Sequence, residues 1–182
     1  IVQQVPSMDA KFYGATQVID EARHVEAYSR LLHEKFNQAY PITPTLKSLL
    51  EDVLNDSRWD MTYLGMQVLI EGLALAAFAS IRDTAQNPLA ASVNAYVMQD
   101  EARHVAFGRL SLRDDYPQLT QAERDEREEF AVEACYARRD RFLAEEVWER
   151  LGLPVDECAQ HMSESGFMQG YRSDLFTRIV PM

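Results

Sequence analysis

The sequence predicts an all-α fold, an antiparallel bundle of long helices with additional helices at its C-terminal end. Apolar residues recur at helical spacing, strand-like alternation and hairpin dipeptides are missing, and prolines fall between the periodic segments. The longer segments run to about 25 to 30 residues and are joined by short connections, which is typical of antiparallel helical bundles.

Capping residues and prolines set the limits of each predicted helix. Ser7 can cap the first long helix. The pairs Thr43–Pro44 and Asn87–Pro88 each combine a cap residue with a proline in the first helical turn. Thr120 followed by Glu123 is a capping-box pattern. The predicted helices cover about 8–39, 45–54, 57–85, 88–111, 120–151 and 155–179.

Composition narrows the class of protein. The 182 residues carry a net charge of −11, which disfavours a nucleic-acid or anionic-membrane partner. Cys135 and Cys158 have no zinc or redox spacing and are expected to be reduced, buried thiols of a cytoplasmic protein. The longest apolar run, 68–81, is shorter than the roughly 20 residues that span a bilayer.

No break in composition indicates a second domain. Residues 1–182 are therefore expected to form a single helical domain. Within it, we expect a bundle core over residues 1–111 and additional helices over residues 120–182.

One charged sextet, Asp-Glu-Ala-Arg-His-Val, occurs twice, at residues 20–25 and 100–105. Each copy places a glutamate three residues before a histidine, Glu21 with His24 and Glu101 with His104, so the two side chains share one helix face. A carboxylate and an imidazole at this spacing can bind one metal ion, and two such helices facing each other can bind two. The alternative is a pair of solvated, charged helix faces.

Glu71 is a further candidate ligand because it interrupts an apolar helical stripe. It is the only charged residue between Asp60 and Arg82. Burying an unpaired carboxylate there costs roughly several kcal/mol, and a bound metal ion removes that cost. Pairing with an arginine and protonation are the alternatives.

The charged residues beside these ligands predict a supporting shell. Metal-bound histidines usually donate their second ring N–H to a carboxylate. We expect Asp20 and Asp100 each to accept this hydrogen bond from the histidine of the opposite helix. Arg23 and Arg103 can pair with these aspartates and keep them ionised, or remain solvated helix charges.

This arrangement resembles the ferritin-like di-iron carboxylate superfamily. The Asp-Glu-x-Arg-His form of both motifs is similar to the hydroxylase subunits of bacterial multicomponent monooxygenases and to the N-oxygenases that oxidise aryl amines. The resemblance covers about residues 1–111 and implies a four-helix core that supplies Glu, Glu-x-x-His, Glu and Glu-x-x-His in that order. It implies two iron ions, with manganese as the alternative, because carboxylates and imidazoles suit both metals.

In this order the first sextet matches the second core helix, Glu71 matches the third and the second sextet matches the fourth. The first core helix has no match in the chain. Two ferrous ions carry four positive charges, whereas Glu21, Glu71 and Glu101 supply only three negative charges. The fourth carboxylate is therefore expected upstream of Ile1, on a helix whose tail is residues 1–4, and the chain is expected to be a fragment of a longer one.

Tyr28 lies seven residues after Glu21, two turns along the same helix face. The radical-bearing tyrosine of ribonucleotide reductase subunits holds the matching offset, which implies a redox or substrate-lining role. Core packing is the reading that the residues themselves favour. Gly108 holds the same offset from Glu101, and it permits either close helix contact or a cavity.

The resemblance implies an O₂-activating di-iron oxidoreductase, a monooxygenase that hydroxylates or N-oxygenates a small organic substrate. The sequence has no flavin or iron–sulfur motif, so we expect an external electron donor, a ferredoxin or a reductase. A homodimer is expected because long helical bundles commonly pair. The alternative function is that of a ferroxidase or a rubrerythrin-like peroxide scavenger, although the chain has no Cys-x-x-Cys module.

Overall fold

The computed structural model is an all-α helical bundle, which confirms the predicted fold class. It describes residues 1–141 and 143–179, and no strand occurs in these ranges. The end of the predicted C-terminal region, residues 180–182, lies outside the described residues. The helices are α1 (Met8–Arg30), α2 (Pro44–Asn55), α3 (Trp59–Tyr63), α4 (Glu71–Thr84), α5 (Pro88–Asp115), α6 (Gln121–Arg141), α7 (Glu145–Leu151), α8 (Val155–Glu164) and α9 (Gly166–Ile179), with π-helical stretches at Leu31–Phe36 and Leu64–Ile70 and a 3-10 turn at Tyr116–Gln118.

Four of the predicted helix starts have the expected capping contacts. The side chains of Ser7, Thr43 and Asn87 each accept a hydrogen bond from a backbone N–H in the first turn. At the start of α6, the Glu123 carboxylate accepts from the Thr120 N–H at 2.8 Å, and the Thr120 hydroxyl accepts from the Glu123 N–H at 3.3 Å. Each cap satisfies a donor that the helix leaves unpaired.

Some predicted helix limits were wrong by a few residues. The first helix ends with its π-helical stretch at Phe36 rather than near Ala39, because Asn37 adopts a left-handed conformation with φ 51°. The next long helix begins at Trp59 rather than at residue 57, after the Asp56 carboxylate accepts a hydrogen bond from the Arg58 N–H. α5 continues to residue 115, four residues beyond its predicted end at 111.

Two predicted long helices, 120–151 and 155–179, are each broken in two. The first breaks before α7, where Ala144 has φ 56° and the Trp148 indole N–H donates to the Leu143 carbonyl. The second breaks at Ser165, whose hydroxyl accepts from the Met168 N–H and begins α9. The C-terminal third therefore consists of shorter helices than the sequence predicts.

Three helical rods form the site: α1, α5 and a third rod, named the central rod, which consists of α3, the Leu64–Ile70 stretch and α4. α5 contacts both other rods. α1 and α5 are antiparallel, because Tyr13 stacks on Phe107 at one end and Tyr28 hydrogen-bonds Asn94 at the other. α6 packs on the π-helical stretch Leu64–Ile70, and α9 packs on α4.

The rod from Trp59 to Thr84 is long and apolar enough to cross a membrane, judged by length and composition alone. Its most apolar run, 68–81, is by itself too short to span a bilayer. Half of the most apolar 18-residue window in this rod is buried inside the protein. The core helix of a bundle passes the same test, and this rod carries Glu71 among its buried residues.

The two cysteines lie on outer helices, Cys135 on α6 and Cys158 on α8. Both are half-buried rather than buried as predicted, and no disulfide joins them. Cys135 packs against the apolar cluster formed by Leu69 and Ala134, at the contact between α6 and the central rod.

A buried ion pair fixes α6 to the same rod. The Arg127 guanidinium donates to the Asp60 carboxylate at 2.8 Å, and the two side chains are only 8% and 11% exposed. Removing one member of such a pair leaves an uncompensated charge in the interior, which is strongly destabilising.

We therefore expect Arg127→Met to lower the free energy of unfolding by about 3–5 kcal/mol. Adding Asp60→Asn should recover part of this loss, because the stranded charge is removed. Arg113→Met is the control, since Arg113 is exposed and, among the described residues, pairs with its neighbour Asp114. It should change stability by less than about 0.5 kcal/mol. Urea unfolding of the metal-free protein, followed by circular dichroism, measures all three variants, and similar losses for both arginine variants would contradict the assignment.

Candidate metal centre

The antiparallel packing of α1 and α5 brings the two sextets face to face. The Glu21 Oε1 atom lies 3.2 Å from His104 Nδ1, and the Glu101 Oε1 atom lies 3.2 Å from His24 Nδ1. The two contacts are equivalent, because two antiparallel helices with the same motif are related by a local two-fold axis. Each glutamate therefore meets the histidine of the other helix.

Glu71 reaches the same place from the central rod. One donor atom from each of Glu21, Glu71, Glu101 and His104 lies within 4.8 Å of the other three. His24 adjoins this group through its Nδ1 atom, 3.5 Å from Glu21 Oε2. The structure thus brings together all five side chains predicted as metal ligands. Four of them are buried, whereas the Glu21 side chain is 45% exposed.

The donor atoms of this cluster fit a pair of metal ions. Atoms without a hydrogen-bond partner, among the buried side chains that the structure describes, include Glu21 Oε1, His24 Nδ1, Glu71 Oε2, Glu101 Oε2 and His104 Nδ1. An unsatisfied buried polar atom costs roughly 1–3 kcal/mol, so a cluster of them needs compensation. A set of carboxylate oxygens and imidazole nitrogens, with no thiolate among the candidate ligands, suits iron or manganese.

Two aspartates hold the outer nitrogens of the histidines. His24 Nε2 lies 3.1 Å from Asp100 Oδ2, and His104 Nε2 lies 3.3 Å from Asp20 Oδ2. Both contacts cross from one helix to the other, as the sequence analysis expected. An Nε2–H donated to an aspartate leaves the Nδ1 lone pair of each ring facing the cluster.

Two arginines close the solvent side of this shell. Arg23 bonds Asp20 and approaches Asp100 to 3.5 Å, and Arg103 bonds Asp100 and approaches Asp20 to the same distance. Burial would raise the pKa of each aspartate, but its histidine and arginine contacts outweigh burial and hold the pKa below its usual value. Both guanidinium groups also remain more than half exposed, so they are paired and solvated at once.

Burial and repulsion shift the proton affinities inside the cluster. Burial, together with the nearby Glu101 and Glu21 carboxylates, raises the pKa of Glu71 to about 8. Burial would lower the pKa of His104, but the surrounding carboxylates, first Glu101 and Glu21, raise it to about 10. Without a metal, both groups therefore hold a proton at neutral pH.

Tyr28 packs beside the cluster rather than in it. Its hydroxyl donates to Asn94 Oδ1 at 2.9 Å, and its ring stacks on Phe78 with centroids 5.7 Å apart. Burial and the Glu101 charge raise its pKa. Gly108, at the equivalent offset on α5, is buried against Gln67, which corresponds to close helix contact rather than a cavity.

The sequence analysis missed three polar residues around the cluster, Gln17, Gln67 and Asn94. All three are buried, and Gln17 donates to Glu71 at 3.0 Å. A usable signal was present, because Gln17 and Gln67 each stand one helical turn before a predicted ligand, Glu21 and Glu71. An uncharged amide on the ligand face was not considered beside the charged motif.

Comparison with known proteins yields one family. The family model described as P-aminobenzoate N-oxygenase AurF matches residues 2–182. No curated protein and no solved structure gave a significant match.

The raised pKa values of Glu71 and His104 predict that metal uptake releases protons. Metal ligation requires the unprotonated forms, so both protons must leave when the ligands bind. At pH 7 both groups are protonated, and at pH 9 Glu71 has lost its proton while His104 keeps it. Proton release on binding should therefore be greater at pH 7 than at pH 9. Metal affinity should fall as the pH drops below about 10, where His104 takes up a proton, and more steeply below about 8, where Glu71 does so as well.

Titration calorimetry with ferrous or manganous ion, in buffers of different ionisation enthalpy, counts the protons. Glu71→Gln is the matched variant, since it cannot release the second proton. Equal release from wild-type protein at both pH values would contradict the shift assigned to Glu71.

Proposed function

The chain belongs to the p-aminobenzoate N-oxygenase (AurF) family, and from this premise we propose that it N-oxygenates or hydroxylates a small organic substrate, with an aryl amine as the first candidate. Membership of this family makes the protein an enzyme of the di-iron oxygenase class. The description of the family as a p-aminobenzoate N-oxygenase supports an aryl amine as the substrate.

One observation carries the proposal: buried carboxylates and imidazoles from three rods meet with their free donor atoms facing one another. We propose that Glu21, His24, Glu71, Glu101 and His104 hold two iron ions, with manganese as the alternative. Bound iron would supply the reduction of O₂ and the oxidation of the substrate, which no protein side chain provides by itself.

The protein's own residues prepare this site for redox chemistry. The two aspartates fix the ring orientation of the two histidines, and the two arginines keep the aspartates ionised. Glu71 would complete the ligand set from the third rod, because it belongs to neither sextet and lies within 4.8 Å of three of the other candidate ligands. The rod that carries Glu71 has buried apolar residues before and after it, such as Val68 and Ala76.

The proposed reaction needs partners outside this chain. Conversion of an amine to a hydroxylamine consumes O₂, two electrons and two protons, and releases water. We propose that a ferredoxin or a reductase delivers the electrons, that the protein acts in the cytoplasm, and that it pairs as a homodimer.

Ferroxidase or peroxide-scavenging activity is the second candidate, because the same ligand set can oxidise ferrous iron without an organic substrate. The family match, which runs to residue 182, favours the oxygenase.

The ligand assignment predicts a loss of iron in single variants. Glu101→Ala and His104→Ala should each lose at least one of the two iron ions, because each removes a donor that no other described side chain replaces. His33→Ala is the control, since His33 is exposed on the final π-helical turns of the first helix. Metal analysis of the purified, reconstituted proteins measures the iron bound per chain. Two iron ions per chain in either cluster variant would contradict the ligand assignment.

Single-turnover kinetics separates the two candidate functions. Protein reduced to two ferrous ions and mixed with O₂ should convert an aryl amine to its hydroxylamine, with at most one product per site because two electrons are available. Product is detected by chromatography and mass spectrometry. Iron oxidation at the same rate with and without amines of varied size, and without oxygenated product, would favour the ferroxidase instead.

A further inference from the structure

A chain of two buried amides leads into the cluster behind Glu71. Gln17 on α1 is 5% exposed, and Gln67 on the central rod is fully buried. The Gln17 Nε2 atom donates to Glu71 Oε1 at 3.0 Å, and the Gln67 Nε2 atom donates to Gln17 Oε1 at 3.5 Å. Two amide side chains are therefore placed in the interior, where each unpaired polar atom is costly.

The two amides place the two carboxylate oxygens of Glu71 in different environments. Oε1 accepts the hydrogen bond from Gln17, whereas Oε2 is buried and has no partner among the described residues. A carboxylate with one oxygen held by a fixed donor has the other oxygen left for a cation. The protein therefore makes Oε1 and Oε2 of Glu71 inequivalent before any metal binds.

We propose that Gln17 is a positioning residue that reserves Oε1 of Glu71, so that Glu71 binds metal through Oε2 alone, and that Gln67 holds the Gln17 amide in this orientation. The inference deepens the proposed function and rests on it. It concerns how one ligand is presented to the metal pair rather than which residues are ligands.

Gln67 has a role because the terminal amide of a glutamine side chain can rotate by half a turn. Rotation of the Gln17 amide by half a turn would direct its carbonyl oxygen, instead of its NH₂ group, at the Glu71 carboxylate. The hydrogen bond from Gln67 to Gln17 Oε1 opposes that rotation. The second amide therefore keeps a donor, and not an acceptor, facing Glu71.

The backbone around Gln67 is built to place it there. A Cβ atom added at Gly108 would lie 2.4 Å from the Gln67 Cβ and 3.7 Å from its Cα, so only glycine lets α5 approach this closely. The π-helical stretch ends at Ile70, and the next residue, Glu71, donates its N–H to the Met66 carbonyl five residues earlier. A π-helical insertion changes which residues face the interior, and here Gln67 and Glu71 both do.

The test compares Gln17→Met and Gln67→Met with wild-type protein. Methionine has nearly the volume of glutamine but cannot hold the carboxylate by a hydrogen bond. Gln99→Met is the matched control, because Gln99 is exposed on α5 and its side chain donates to the Ala95 carbonyl of its own helix. Circular dichroism checks that each variant is folded.

The readout is the carboxylate stretching region of infrared difference spectra, recorded between metal-free and manganese-loaded protein labelled with ¹³C-glutamate. Glu71→Gln identifies the Glu71 band. We expect wild type and Gln99→Met to show a wide separation between the antisymmetric and symmetric carboxylate stretching bands of Glu71, which is typical of binding through one oxygen. We expect the Gln17 and Gln67 variants to show the narrow splitting of two-oxygen binding, with metal affinity reduced about 10- to 100-fold.

Each outcome decides the inference. Two-oxygen binding of Glu71 in wild type, or a wild-type spectrum in folded Gln17→Met, overturns it and leaves the proposed function standing. A wild-type protein that binds no metal overturns both. If neither variant folds, the wild-type spectrum still decides, because the inference requires one-oxygen binding there.

Discussion

Repulsion among three carboxylates inside a helical bundle is the constraint on which the rest of the structure depends. Glu21, Glu71 and Glu101 come from three different rods and meet within a few ångströms of one another. Burial first, and then the neighbouring Glu101 and Glu21 carboxylates, raise the pKa of Glu71 to about 8. Two imidazoles and the Gln17 amide contact these carboxylates, and the ligand atoms without a hydrogen-bond partner lie close together. A pair of cations is the simplest group that satisfies all of them.

The duplicated sextet brings carboxylates and imidazoles together with a single local arrangement. Two antiparallel helices that carry the same six residues make every contact twice, so one local arrangement builds two halves of a site. Each glutamate meets the histidine of the opposite helix, and each aspartate holds the outer nitrogen of that histidine. Toward solvent, the two aspartates and two arginines alternate in charge, which limits the electrostatic cost of concentrating acids at one level of the bundle.

The helices beyond the bundle support the rod that carries Glu71. α6 packs on the π-helical stretch directly before this residue and ties Asp60 to Arg127, and α9 packs on α4. The sequence after residue 120 contains no ligand motif, yet the family match extends through it. These later helices hold the central rod in register with α1 and α5. Glu71, which lies outside the repeated sextet, is therefore level with the glutamates of the two sextets.

The features that the sequence by itself determined are those encoded within one or two helical turns. Caps at Ser7, Thr43 and Asn87, the three-residue spacing of glutamate and histidine, and the isolated charge at Glu71 each follow from local chemistry. They were enough to predict the helical class and to choose the five side chains that meet in the structure.

Only the tertiary structure decided the rest, because those features depend on residues distant in the chain. The breaks at Ala144 and Ser165, the π-helical stretches, and the close approach of Gly108 to Gln67 arise where one helix must fit another. The amide chain through Gln17 has the same origin, since its donor and acceptor are 54 residues apart. Helical periodicity reports which face of a helix is apolar, but it does not report which side chain of another helix will stand opposite.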